Sequence, residues 1–217
     1  MTIVPTVLTS GGNAADQSSY NTASITPPAN TLILLFVSNA LGVLNTPTVT
    51  GCNMTWTQVI TAEPANTRLT VFRGVGSAPT TGALTIDFAG QTQNNCRWVA
   101  VQLAGADTGG ANGANGVVQS GSAAGNGSTA SISLSAIAKA DNITIGGLSM
   151  NTGSGITVGS GYTELVNVSG IEGNTEVEWR LGTNNVVSWT YTGANNDLGV
   201  ALEIKAAVNN SLLMGDI

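Results

Sequence analysis

Glu176 and Glu178 stand two residues apart in the stretch "NTEVEWRL". On an extended strand they would share a face, about 7 Å apart. That spacing suits a pair of carboxyl groups acting as acid and base on a glycosidic bond. Twelve acidic side chains are available, among them Glu63, Asp87, Asp107, Glu164, Glu172 and Asp197. The chain has no histidine. Ser-His-Asp and Cys-His nucleophiles, imidazole bases and histidine metal ligands are therefore excluded together. A Ser–Lys pair would have to use Lys139 or Lys205, and no motif surrounds either. A sugar-cleaving pair also needs an aromatic-lined cleft, and the chain has only ten aromatic residues. The plainer reading of Glu176 and Glu178 is the solvated face of a strand, which leaves no catalytic residue.

Other chemistry is equally sparse. Two cysteines, Cys52 and Cys96, do not make a zinc site without histidine. They could pair only if their strands meet. The loop "DTGGANGANG" offers one carboxylate where a calcium loop has an acidic ladder, so Asp107 with nearby carbonyls is a faint calcium candidate at most. No phosphate-cradling glycine motif follows a strand and opens a helix. No cofactor or metal is expected. Six basic residues are spread thinly over a chain of net charge −6 and isoelectric point about 4.3. That balance argues against nucleic acid as a partner and against anionic membranes. The most apolar run, "TLILLFV", is too short to cross a bilayer, and "MTIVPTVLTSGG" lacks the features of a signal peptide. Trp56, Trp98, Trp179 and Trp189 fall in alternating patterns that suit a core. Tyr20 and Tyr162 sit near turns and are the better candidates for glycan contact.

The elements that must position these residues are strands. Of 217 residues, 8% are charged against a usual ~25%, while 42% are hydrophobic. Gly, Asn, Ser and Thr supply the polarity and favour turns and strands over helices. "TEVEWRL", "VVSWTYT", "VALEI" and "ALTIDF" each alternate apolar and polar residues with period two, the mark of antiparallel strands with one buried face. "TLILLFV" is apolar on both faces. It is either a central strand covered on both sides or one whose outer face meets another subunit. Only "LSAIAKA" at 134–140 hints at a helical turn.

The chain also repeats itself. "NTRLTVFR" at 66–73 returns as "NTEVEWR" at 174–180, one residue shorter, which a β-bulge in the first copy would absorb. "TASI", "NTLILLFVSN", "GCNMTWTQV", "TIDFAG" and "RWVAVQLAGA" have weaker counterparts in the same order. The expected architecture is an all-β, antiparallel, jelly-roll-like β-sandwich built from two sequence-related halves. Residues 1–18 read as an N-terminal arm and 19–207 as the sandwich. Its halves span about 19–107 and 127–207, with a connector at 108–126 and a tail at 208–217. Ile3, Val4, Leu212, Leu213 and Met214 are apolar residues in the two terminal segments, and they are the candidates for partner contact.

The order "TPPANTLILLFV…MTWTQV…RLTVFRGVGSAPTTGALTIDFAG…RWVAVQLAGAD" resembles a diffuse class of duplicated β-sandwich proteins of tailed bacteriophages and bacteria. The likeness covers about residues 20–205. It implies a virion-surface or adhesin-like role and carries over no catalytic residue. Capsid decoration (cement) is the expected function, with major capsid or tail proteins as partners and a homo-oligomer, by class a trimer, as the assembly. Localisation would be the virion, assembled in the host cytoplasm. The alternative is a carbohydrate- or receptor-binding module of a tail fibre or adhesin.

Overall fold

The computed structural model describes residues 1–40, 45–63, 66–170 and 173–208. The first half holds eight strands: β1 (Val4–Asn13), β2 (Ser19–Asn21), β3 (Leu32–Ala40), β4 (Thr48–Gly51), β5 (Trp56–Ala62), β6 (Thr67–Gly74), β7 (Leu84–Asp87) and β8 (Asn95–Ala104). A 3-10 turn at Ala111–Gly116 leads to six more: β9 (Val117–Ser133), β10 (Ile143–Met150), β11 (Thr152–Val158), β12 (Thr163–Val168), β13 (Asn174–Leu181) and β14 (Val186–Ile204). All strand pairings are antiparallel.

In the first half, a large sheet runs β1-β8-β3-β6-β5 and a small sheet runs β2-β7-β4. This alternation of strands between two sheets is the winding of a jelly roll. The second half has a large sheet in the order β9-β14-β10-β13-β12. Its small sheet is built from the same long strands. The end of β9 (Thr129–Ser133) pairs with the start of β14 (Val186–Thr190), and β11 pairs with β14 from Trp189 to Asn195. Strand β14 leaves its ladder register between Thr190 and Asp197, where Gly193 (φ 65°) and Asn196 (φ 55°) take left-handed backbone. One strand thus serves both sheets where the first half uses two, β7 and β8.

The layers enclose three cores. A central core lies between the two large sheets and joins Leu32, Leu34, Phe36, Val71, Val99 and Val101 to Ile143, Ile145, Val177, Val200 and Leu202. An outer core lies under the first small sheet, where Leu35, Val37 and Trp98 meet Tyr20, Ile86 and Phe88. A second outer core joins Leu148 and Met150 to Ile132, Val187, Trp189 and Tyr191. All nine residues of β3 are buried. Its period-two faces are both apolar because one looks into the central core and the other into an outer core.

Several expectations change. "LSAIAKA" forms no helix, and the one helical turn among the described residues falls in the connector instead. Residues 4–13 of the expected arm are β1, the edge strand of the first large sheet, and residues 117–126 of the expected connector belong to β9. The bulge is not in β6, which pairs with β3 in unbroken register. The neighbouring strand β5 is bulged between Gln58 and Ile60, but β12 carries a bulge too, between Glu164 and Val166, so neither accounts for the extra residue.

Candidate functional site

Strand β13 places Glu176 and Glu178 on its outward face, and the structure corrects their expected exposure. The small sheet of the second half covers that face, and both residues are fully buried. The Trp189 indole N–H donates to Glu176 Oε2 at 2.6 Å, and the Gly159 N–H donates to Glu178 Oε2 at 2.9 Å. The Oε1 atom of each has no hydrogen-bond partner. Burial, reinforced by the neighbouring Glu178, pushes the Glu176 carboxyl up to about 9. Burial likewise pushes Glu178 up to about 7, opposed by the Gly159 and Ser188 backbone N–H groups. Glu176 is therefore a neutral acid at pH 7, held in a packed layer that a sugar chain does not reach. The alternation of charge and apolar residue in "TEVEWRL" is real, but both faces of the strand are interior.

Two more carboxylates share this layer. Asp197 is buried and accepts from the Tyr191 hydroxyl. Burial first, and then this bond, raises the Tyr191 hydroxyl above its ordinary value. Glu203 accepts from the Asn142 and Gln119 side-chain amides, each at 2.6 Å. Sequence reasoning passed over Glu203 because "VALEI" reads as a strand with one wet face.

The two tyrosines singled out for glycan contact are also buried, at 1% exposure for Tyr20 and 8% for Tyr162. The Tyr20 hydroxyl donates to the Gln93 carbonyl at 2.8 Å, and its ring meets Phe88 edge-on at 6.0 Å. Burial raises that hydroxyl to about 12. The Tyr162 hydroxyl accepts from Thr144 at 2.8 Å and donates to the Val186 carbonyl at 3.0 Å. Each ring sits near a turn as expected, but its polar tip closes the turn instead of facing water.

Of the partner-contact residues, Ile3 is fully buried in the central core, whereas Val4 is 54% exposed. Leu212, Leu213 and Met214 lie outside the described residues. Cys52 and Cys96 are both free and buried. Burial raises both thiols, opposed at Cys96 by the neighbouring Arg97; the Cys52 thiol donates to the Gly82 carbonyl at 3.3 Å. Asp107 is committed to protein partners. Its Oδ2 takes the Lys205 ammonium at 2.7 Å and its Oδ1 takes the Gly109 N–H at 2.8 Å. The Lys205 bond is the main cause of its lowered carboxyl value. No group of three potential metal ligands occurs among the described residues.

Among the described residues, the most exposed large apolar side chains gather at one place. The Met1 ammonium reaches the Ala207 carbonyl at 3.4 Å, the Ala207 N–H bonds to the Gly105 carbonyl, and Val4 pairs with Ala104. Met1, Ala207 and the exit from the first half therefore meet at one pole. Met1, Val4 and Val208 are 59%, 54% and 68% exposed there. Comparison of the chain with protein-family models, with curated proteins and with solved structures returns no match.

Proposed function

We propose that this is a non-enzymatic structural protein of a bacteriophage virion, a capsid decoration protein that stabilises the particle through subunit contacts. The observation that carries this reading is the pole where Met1 meets Ala207. Three exposed apolar side chains, Met1, Val4 and Val208, stand there on an otherwise lightly charged jelly-roll body. The residues with chemical potential, Glu176, Glu178, Tyr20 and Tyr162, are spent on packing. Burial of the pole against a lattice of capsid subunits would contribute about 25 cal/mol per Å² before association costs. Homo-oligomers, trimers in this reading, would multiply the contact.

The test is made on particles. Virions carrying the gene should contain the protein by mass spectrometry. Particles from a gene deletion should release DNA at a lower temperature, and added protein should restore the difference. Val4→Asp with Val208→Asp should leave the protein folded and abolish rescue. Virions that lack the chain, or equal heat release with and without it, would overturn the proposal.

A further inference from the structure

The two large sheets share one strand order, and they share register over β8, β3, β6 and β5 against β14, β10, β13 and β12. In the first, β5 is bulged between Gln58 and Ile60, opposite Phe72 and Val71, which pair with Leu35 and Phe36 of β3. In the second, β12 is bulged between Glu164 and Val166, opposite Glu178 and Val177, which pair with Gly146 and Gly147 of β10. The coincident bulges set Phe36 equivalent to Gly147 and Ser38 to Ser149. Through β8 and β14 they set Arg97 equivalent to Leu198.

Equivalent residues then meet across the central core. Ser38 and Ser149 share a hydrogen bond. A Cβ on Gly147 would lie 2.7 Å from the Phe36 ring. The edges follow the same rule: β1 packs over β12, and β5 packs over β9. This is the geometry of an isologous contact, in which a patch meets its own counterpart about a two-fold axis. Here the axis runs between β3 and β10, along them.

The contact is also lopsided at the axis. Phe36 fills the place that Gly147 vacates. Arg97 is fully buried on one side only, donating to Thr175 at 3.0 Å and Ser38 at 3.1 Å and lying 3.5 Å from Ser149. Its equivalent, Leu198, is plain core. Two first halves would oppose two Phe36 rings and bury two Arg97 cations around one serine pair. Two second halves would oppose two Gly147 residues over a void.

We propose that the central face is a former self-pairing interface made two-sided: the first half fits the second and rejects a copy of itself. The partner it selects is a jelly roll of its own kind carrying glycine and leucine where it carries phenylalanine and arginine. Phe36 is flanked in its sheet by Val71 and Val99, and Gly147 by Val177 and Val200. The same four neighbours by type await a ring on either side.

The test uses the whole chain. Phe36→Gly and Gly147→Phe should each lower the folding equilibrium constant by about 100-fold or more. The double exchange should recover to within about 10-fold of the parent, and purely additive losses would overturn the proposal. Should the single variants fail to fold, a protease site placed between Gly109 and Gly110 supplies a second reading. The cut protein, denatured and refolded as the equimolar mixture, should give one species of first half with second half by native mass spectrometry. Same-half pairs or unpaired halves would overturn it.

Discussion

Glu176 and Glu178 make the protein's stability depend on pH in an unusual direction. Their carboxyls lie at about 9 and about 7 in the folded chain, against an ordinary value of 4.5. A carboxyl raised by folding contributes its full stability below the unfolded value and loses it as pH climbs toward the folded one. The loss spans pH 4.5–7 for Glu178 and 4.5–9 for Glu176, at no more than about 1.4 kcal/mol per pH unit for each group. The groups facing them, Glu164, Tyr162 and Arg180, include only one cation. Thermal melts across pH 5–9 should therefore show Tm falling with pH. Glu176→Gln with Glu178→Gln should flatten that slope and raise Tm at pH 8 relative to the parent; an unchanged slope would refute the assignment. The period-two pattern put these residues on one face correctly. Which face was dry depended on a cover from β9, β11 and β14, distant in the chain, and no local pattern encodes that.

At the scale of elements, β3 and the connector carry the sharpest expectations. Leu34 is fully buried at the centre of the core between the large sheets. Leu34→Ala should cost about 2–5 kcal/mol in denaturant melts, while exposed Val118→Ala should stay within about 0.5 kcal/mol. Asn112 ties the 3-10 turn at 111–116 to β5 and β6, and the Arg73 guanidinium donates to the Asn112 carbonyl at 3.2 Å. Asn112 accepts the Val75 N–H at 2.9 Å and places its amide within reach of Thr55 O, Thr57 Oγ1 and Arg73 O. Asn112→Ala should cost about 1–3 kcal/mol and speed proteolysis between residues 108 and 116; unchanged cleavage would show that the tie is idle. Most strands were legible as alternating runs bounded by Gly, Pro and Asn turns. The tie was not, because "GGANGANG" looks like slack linker until β5 and β6 lie beside it. Nor was the bend in β14, where "GANND" reads as a turn between two strands and is instead part of one strand changing sheets.

For the whole molecule, three stacked cores share the two large sheets, so neither half can lose its inner face without exposing the other's. Heat or denaturant should therefore unfold the chain in a single cooperative step, with calorimetric and van't Hoff enthalpies in agreement. Two resolved transitions would mean that the halves are independent. Six faint blocks in the sequence suggested a repeat, and the strand register departs from the match they offered. "NTRLTVFR" and "NTEVEWR" align by eye at their asparagines, whereas the sheets make Arg68, not Asn66, the counterpart of Asn174. Tertiary pairing sets the match, and a sliding comparison of letters has no access to it.

The meeting of Met1 with Ala207 bears on how the gene could be written. A short splice from residue 208 to residue 1, with new ends opened between Gly109 and Gly110, would leave every strand pairing intact while reversing the order of the halves. Ribosomal synthesis would then deliver β9 through β14 first, so the half that is translated early is a matter of history and not of architecture.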